Sequence, residues 1–199
     1  RVSGATGLDA DLAACNGCVA ADHEDALIDM THDFIAHDPA RDPIPPPLVK
    51  RTTLIVRSIE RSIEFYRDVL GMSIWYDDEI TLSGVGLAAG TKGDRTRLVI
   101  MQGPDPLLGM IGLLEFVAPR MAEPVRRERL GIGDIVFVMQ GRDVHGVHVR
   151  ALERGFRVHA APHEFSVKGA SGQLLQMTSL SLWDPDDYFI EYNQRQEAA

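Results

Sequence analysis

Cys15 and Cys18 are the only cysteines in the 199 residues, and they stand as a CxxC pair. With His23 and His32 downstream they could close a four-ligand zinc knot, because thiolates and imidazoles suit that ion. A disulfide or two free thiols is the simpler reading. A redox CxxC normally opens a helix after a strand, and no such pattern surrounds this one. Of the other histidines, His145 and His148 fall on a helical stretch and read as solvent-facing. His159 and His163 flank Pro162 and read as polar surface. There is no GxSxG, HExxH, P-loop or dinucleotide glycine fingerprint.

The bulk numbers narrow the partners. A formal charge of −9 argues against broad binding to nucleic acid, which needs Lys and Arg to neutralise phosphates. The basic cluster Arg126, Arg127 and Arg129 is local and reads as solvated surface. A hydrophobic share of 45% with 25% charged residues is that of a soluble globular protein. No apolar run reaches the roughly 20 residues of a bilayer span. The expectation is a soluble protein, cytoplasmic rather than exported. The sequence starts at Arg1, not Met, which implies processing or trimming.

The first 48 residues read as an extension. Residues 1–21 are rich in Ala, Gly and Asp without periodicity, and are expected to be loosely ordered. Leu12-Ala13-Ala14-Cys15 resembles a lipidation box, but Asp9 and Asp11 leave no apolar signal region before it. Asp22 to His37 predicts a helix, capped by Asp22, with Leu27, Met30 and Phe34 on one stripe. Such a stripe docks on a core or a partner subunit, so a homodimer or larger assembly through the extension is expected. Pro39 to Pro47 is proline-rich and predicts a stiff connector.

Beyond residue 48 the chain is organised by Arg51 to Gly71. Val49 to Val56 predicts a β-branched strand, Ser58 a cap, and Ile59, Ile63, Tyr66 and Leu70 a helical stripe ended by Gly71. Met72 to Tyr76, Val85 to Ala89 and Arg97 to Gln102 predict three more strands, giving βαβββ over residues 49–103. A weaker copy covers residues 130–193. It has a strand at Asp134 to Met139, a helical face of Val144, Val147 and Ala151, a stop at Gly155, and strands at Phe156–His159, Gln173–Leu182 and Tyr188–Tyr192. The spans Arg51–Gly71 and Asp134–Gly155 are 20 and 21 residues, so the repeat holds to within one. Gly103 to Arg129, with an apolar run at Leu113 to Val117, reads as a lid or edge over the groove, or as a plain linker. Residues 194–199 form a tail.

The stretch SIERSIEFYRDVLGM closely resembles the first module of the vicinal oxygen chelate superfamily. That group includes glyoxalase I, bleomycin-resistance proteins, extradiol dioxygenases and methylmalonyl-CoA epimerase. The turn Trp183-Asp-Pro-Asp-Asp187 resembles the DPDG turn before that group's last strand, with Asp187 in the glycine's place. The resemblance implies an α+β fold of paired βαβββ modules that form a cupped mixed sheet with the helices outside. It also implies a divalent metal (Zn, Ni, Mn or Fe) in the cup. The ligands would be His, Gln or Glu from the start of the first strand and from the last strand of each module.

Carried over by position, the resemblance puts Arg51 and Asp134 at the first-strand sites and Glu191 at the last-strand site of the second module. Ile100, Met101 or Gln102 takes the remaining site. An arginine cannot ligate a cation. One outcome is a metal-free groove in which Arg51, paired with Asp134 and Glu191 and flanked by Gln102, grips a small oxygenated or anionic metabolite. The other is an atypical metal centre on Asp134 and Glu191, with Glu191 as ligand or catalytic base of a glyoxalase-type lyase, isomerase or dioxygenase.

Overall fold

The computed structural model describes residues 47–196. The expected helix at Asp22–His37, the Cys15/Cys18 pair with His23 and His32, and nearly all of the proline connector lie outside the described residues. The unit that carries the fold starts at Leu48.

Each half of this unit is a strand, a helix and three strands. In the first, β1 (Arg51–Val56) leads to α1 (Ile59–Ile63), which continues as a π-helical turn over Glu64–Val69. β2 (Ser73–Thr81), β3 (Arg95–Gln102) and β4 (Met110–Ala118) follow. In the second, β5 (Val136–Gln140) and α2 (Val144–Glu153) precede β6 (Val158–Lys168), β7 (Leu174–Trp183) and β8 (Phe189–Arg195). The sheets have the matching orders β1-β4-β3-β2 and β5-β8-β7-β6. In each, the first strand runs parallel to the last and the other pairings are antiparallel. The α+β fold of paired βαβββ modules is therefore as expected, built as two four-stranded sheets.

Two expected elements differ. Val85 to Ala89 is not a strand; it belongs to an irregular segment in which Gly84 and Gly90 take φ of 76° and 70°. The last strand of the first module is β4, inside the stretch read as lid or linker. Its residues Met110–Leu114 are buried on both faces, so no alternation marks them as a strand.

The helices face one shared core. Leu54, Val99, Met101 and Leu113 from the first sheet meet Leu180, Leu182 and Ile190 from the second around Phe65, Tyr66 and Val147. Phe65 packs edge-on against Tyr66 and Phe156, with ring centroids 5.2 and 5.0 Å away. Arg150 Nε donates to Val69 O at 3.1 Å, and Arg61 Nη2 donates to Arg154 O at 2.8 Å. The modules are thus joined helix to helix.

The turn before β8 supplies a second joint. Asp184, 4% exposed, accepts the Tyr66 hydroxyl at Oδ2 (3.0 Å) and the N–H groups of Asp186 and Tyr188 at Oδ1 (2.8 Å each). Asp187 takes the positive φ, 66°, expected of it. Burial pushes the Asp184 carboxyl up to about 7. A raised folded-state value means stability is full below the unfolded value near 4 and is lost as pH rises towards 7. Chemical denaturation between pH 4 and pH 8 should show this decline, up to roughly 4 kcal/mol for such a shift. Asp184→Asn should flatten the profile; an unchanged profile would show that Asp184 does not titrate there.

Candidate functional site

Helix capping fixes how the two modules superpose. Ser58 Oγ accepts the Arg61 N–H, and Asp143 Oδ1 accepts the Gly146 N–H. From the last strand of each module a second side chain accepts the first helical N–H. Glu115 Oε2 takes that of Ile59 at 2.9 Å, and Gln194 Oε1 takes that of Val144 at 3.0 Å. Glu115 therefore corresponds to Gln194, and three residues earlier Gly112 corresponds to Glu191. The strand registers agree, since Thr53 pairs with Gly112 and Val138 with Glu191. Arg51 then matches Val136. Asp134 lies two residues before β5, where it pairs with Arg127 and accepts the Gly131 N–H.

The four expected residues stand at separate places in the fold. Arg51 starts β1 opposite Met110; Gln102 ends β3 opposite Ser73; Glu191 sits in the middle of β8. Among the described residues, the hydrogen bonds and ion pairs join none of these four to another.

The two sheet faces turned away from the helices also differ. In the first module Ile55, Leu98, Ile100, Met110, Leu114 and Phe116 form a second apolar cluster there, covered by Leu82 and Ala89 of the segment after β2. In the second module Ser179, Ser181 and Trp183 occupy the same face in place of that apolar cluster and are buried, while Val138 is 69% exposed and its counterpart Thr53 is exposed too. Part of that face in the first module is thus covered by its own side chains, while Arg51 and Thr53 on it stay exposed.

A cavity of about 500 Å³ lies where the end of β1 meets the start of β5. Ile55, Phe116, Met121, Ile135 and Tyr188 give it apolar walls; Glu115, Arg120 and Asp134 give it charge. Arg57 anchors its edge. Its Nε donates to Asp186 Oδ1 at 2.8 Å and its Nη1 to Glu123 Oε2 at 3.4 Å. The Asp186 hydrogen bond raises the Arg57 guanidinium above its usual value, and burial raises the Tyr188 phenol. On the other side Arg157 Nη2 holds Asp187 at 2.8 Å while its guanidinium lies 4.3 Å from the Trp183 ring centroid. Of the residues expected at the site, this cavity contains Asp134. The sequence signal for Glu115 was available: it is the lone charge in the apolar run of β4.

Paired βαβββ modules of this order, joined through their helices, define a class of small α+β proteins. Residues 48–192 match the model of the Glyoxalase/Bleomycin resistance protein/Dioxygenase superfamily, and the chain belongs to that superfamily. Among solved structures it is similar to a glyoxalase family protein from Bacillus cereus. That match has 13% identity and a TM-score of 0.63, and spans 77% of this chain and 97% of that one. A glyoxalase/bleomycin resistance protein/dioxygenase domain from Frankia sp. gives 15% identity and a TM-score of 0.50, over 76% of this chain and 100% of the other. A mutant of glyoxalase I from Zea mays gives 15% identity and a TM-score of 0.51, over 75% of this chain and 46% of that one. No curated protein matches the chain. At these identities the likeness concerns the fold.

Superfamily membership raises the question of a divalent metal. The positions that would hold it carry Arg51 and Thr53, Val136 and Val138, Gly112 and Glu191. This donor set offers one carboxylate and does not fit a metal cage. Among the described residues no three of His, Cys, Asp and Glu are grouped to hold an ion. Gly112 cannot simply regain a ligand. A Cβ there would stand 2.8 Å from Thr53 Oγ1 and 3.3 Å from Arg51 Cδ. Gly112→Ala should therefore destabilise the protein by roughly 1–3 kcal/mol through overpacking, read as a lowered denaturant midpoint with an unchanged slope. A neutral result would show that Thr53 and Arg51 move aside freely.

Proposed function

We propose that the chain is a small-molecule-binding member of its superfamily that works without the usual metal and holds its ligand in the cavity between β1 and β5. The observation that carries this reading is the register of the repeat. It makes Gly112 the counterpart of Glu191, and puts Arg51, Thr53, Val136 and Val138 where the other ligands would stand. A catalytic centre that gathers two substrate oxygens on a cation needs several hard donors, and Glu191 alone does not supply them. The cavity instead offers enclosure, an apolar wall and a few fixed charges, which is what recognition of a small ligand requires.

The ligand expected from the sequence was oxygenated or anionic, gripped by Arg51 in the groove. In our reading the binding role passes to the junction cavity, whose lining includes Asp134 but not Arg51, Gln102 or Glu191. Within it, Tyr188 and the charged side chains orient the ligand, while Phe116, Met121 and Ile135 enclose its apolar part.

Metal analysis of the purified full chain, prepared without chelator, tests the first half of the reading. The expected result is no stoichiometric Zn, Ni, Mn or Fe. Stoichiometric metal that is lost on Glu191→Ala would overturn it. Ile135→Trp, which fills the cavity, tests the second half and should abolish ligand-induced thermal stabilisation while the fold remains intact.

A further inference from the structure

The repeat places Glu115 and Gln194 at the same point of the fold, each accepting the first N–H of its helix at nearly the same distance. Gln194 shows that a neutral amide suffices for the cap. The negative charge of Glu115 is therefore surplus to capping, and it faces the junction cavity. A carboxylate beside a helix N-terminus gains from the helix dipole as well, so the charge has to be judged by what else surrounds it.

Its surroundings leave it under-compensated. The Glu115 side chain is 13% exposed, and its nearest cation among the described residues, Arg120 Nη2, stands 3.9 Å from Oε1 on a side chain 77% exposed. The other enclosed carboxylates of the cavity are matched more closely. Asp186 has Arg57 Nε at 2.8 Å, Asp187 has Arg157 Nη2 at 2.8 Å, and Asp134 has Arg127. The lining carries five carboxylates against three guanidiniums. A largely buried charge without a close partner is costly, and the aromatic faces of Phe116 and Tyr188 are themselves attractive to cations.

We infer that the junction cavity selects a small organic cation, an ammonium group on an apolar body, with Glu115 Oε1 as its counter-ion and Arg120 as the charge it displaces. This rests on the ligand-binding reading above and adds the class of ligand. The ammonium donates to Glu115 and the exposed Arg120 side chain swings to solvent. The apolar body packs on Phe116, Met121 and Ile135.

Titration of the full chain, followed by amide shifts and calorimetry, separates the possibilities with three probes of one shape: phenethylamine, phenethyl alcohol and phenylpropionate. The amine should bind about tenfold or more tighter than the alcohol, the scale of one charge-assisted hydrogen bond, and should shift the Ile59 and Tyr188 amides. Glu115→Gln, which copies the cap of the second module, should fold and lose that preference. Arg120→Ala should tighten amine binding several-fold. Should Glu115→Gln not fold, Arg120→Ala and the amine–alcohol comparison on the unaltered protein decide. Retention of the preference in Glu115→Gln, or weaker amine binding in Arg120→Ala, overturns the inference. If the alcohol or the acid occupies the cavity and the amine does not, the cation reading falls while ligand binding stands. If none of the probes perturbs the cavity residues, both fall.

Discussion

The structure depends on one buried carboxyl group. Asp184 is enclosed at the point where the turn before β8 meets the helix of the other module, and it accepts from two backbone N–H groups and the Tyr66 hydroxyl. Without those donors a buried acid would be strongly unfavourable; with them it fixes the turn and ties the modules together. The turn then projects Asp186 to Arg57 and Ser62, and Asp187 to Arg157 and the Arg127 N–H. Those contacts set one wall of the junction cavity. A single desolvated group therefore couples the register of β8, the pairing of the modules and the shape of the candidate site.

The shared core lies on the helix side of both sheets, so the opposite faces were free to diverge. In the first module that face is packed with its own apolar cluster and closed over by the segment after β2. In the second the buried positions on that face are Ser179, Ser181 and Trp183 instead. The same divergence appears at matched positions: Arg51 against Val136, Gly112 against Glu191, Glu115 against Gln194. Each pair breaks a symmetry that the backbone keeps.

The parts legible in the sequence were those with local periodicity. The stripe from Ile59 to Leu70, the cap at Ser58 and the positive φ of Gly71 and Gly155 follow from neighbours a turn apart. The turn at Asp184–Asp187 was readable from its residue types. The π-helical turn at Glu64–Val69 had no such signature, although the Leu70 N–H reaches back to Phe65 O. β4 was obscured because a strand buried on both faces shows no alternation, while the Gly-flanked apolar run Val85–Ala89 imitated one. That exchange displaced the last strand of the first module from Met110–Ala118 to Arg97–Gln102. It therefore moved the candidate position from Gly112 to Gln102. Spacing matched Asp134 to Arg51, whereas strand pairing matches Val136 to it.

This explains why the fold was readable and the site was not. The fold is over-determined: helix caps, strand registers and the shared core each give the same superposition of the modules. The site depends on differences between those superposed positions, and a difference is visible only once the register is known. Glu115 is the clearest case. In the sequence it is one acid in an apolar strand, with no motif around it. In the structure it is the charged counterpart of a neutral cap, and the contrast with Gln194 gives its charge a meaning that neither residue has alone. Sequence repetition thus locates such a site indirectly, through the positions where two equal frames carry unequal chemistry.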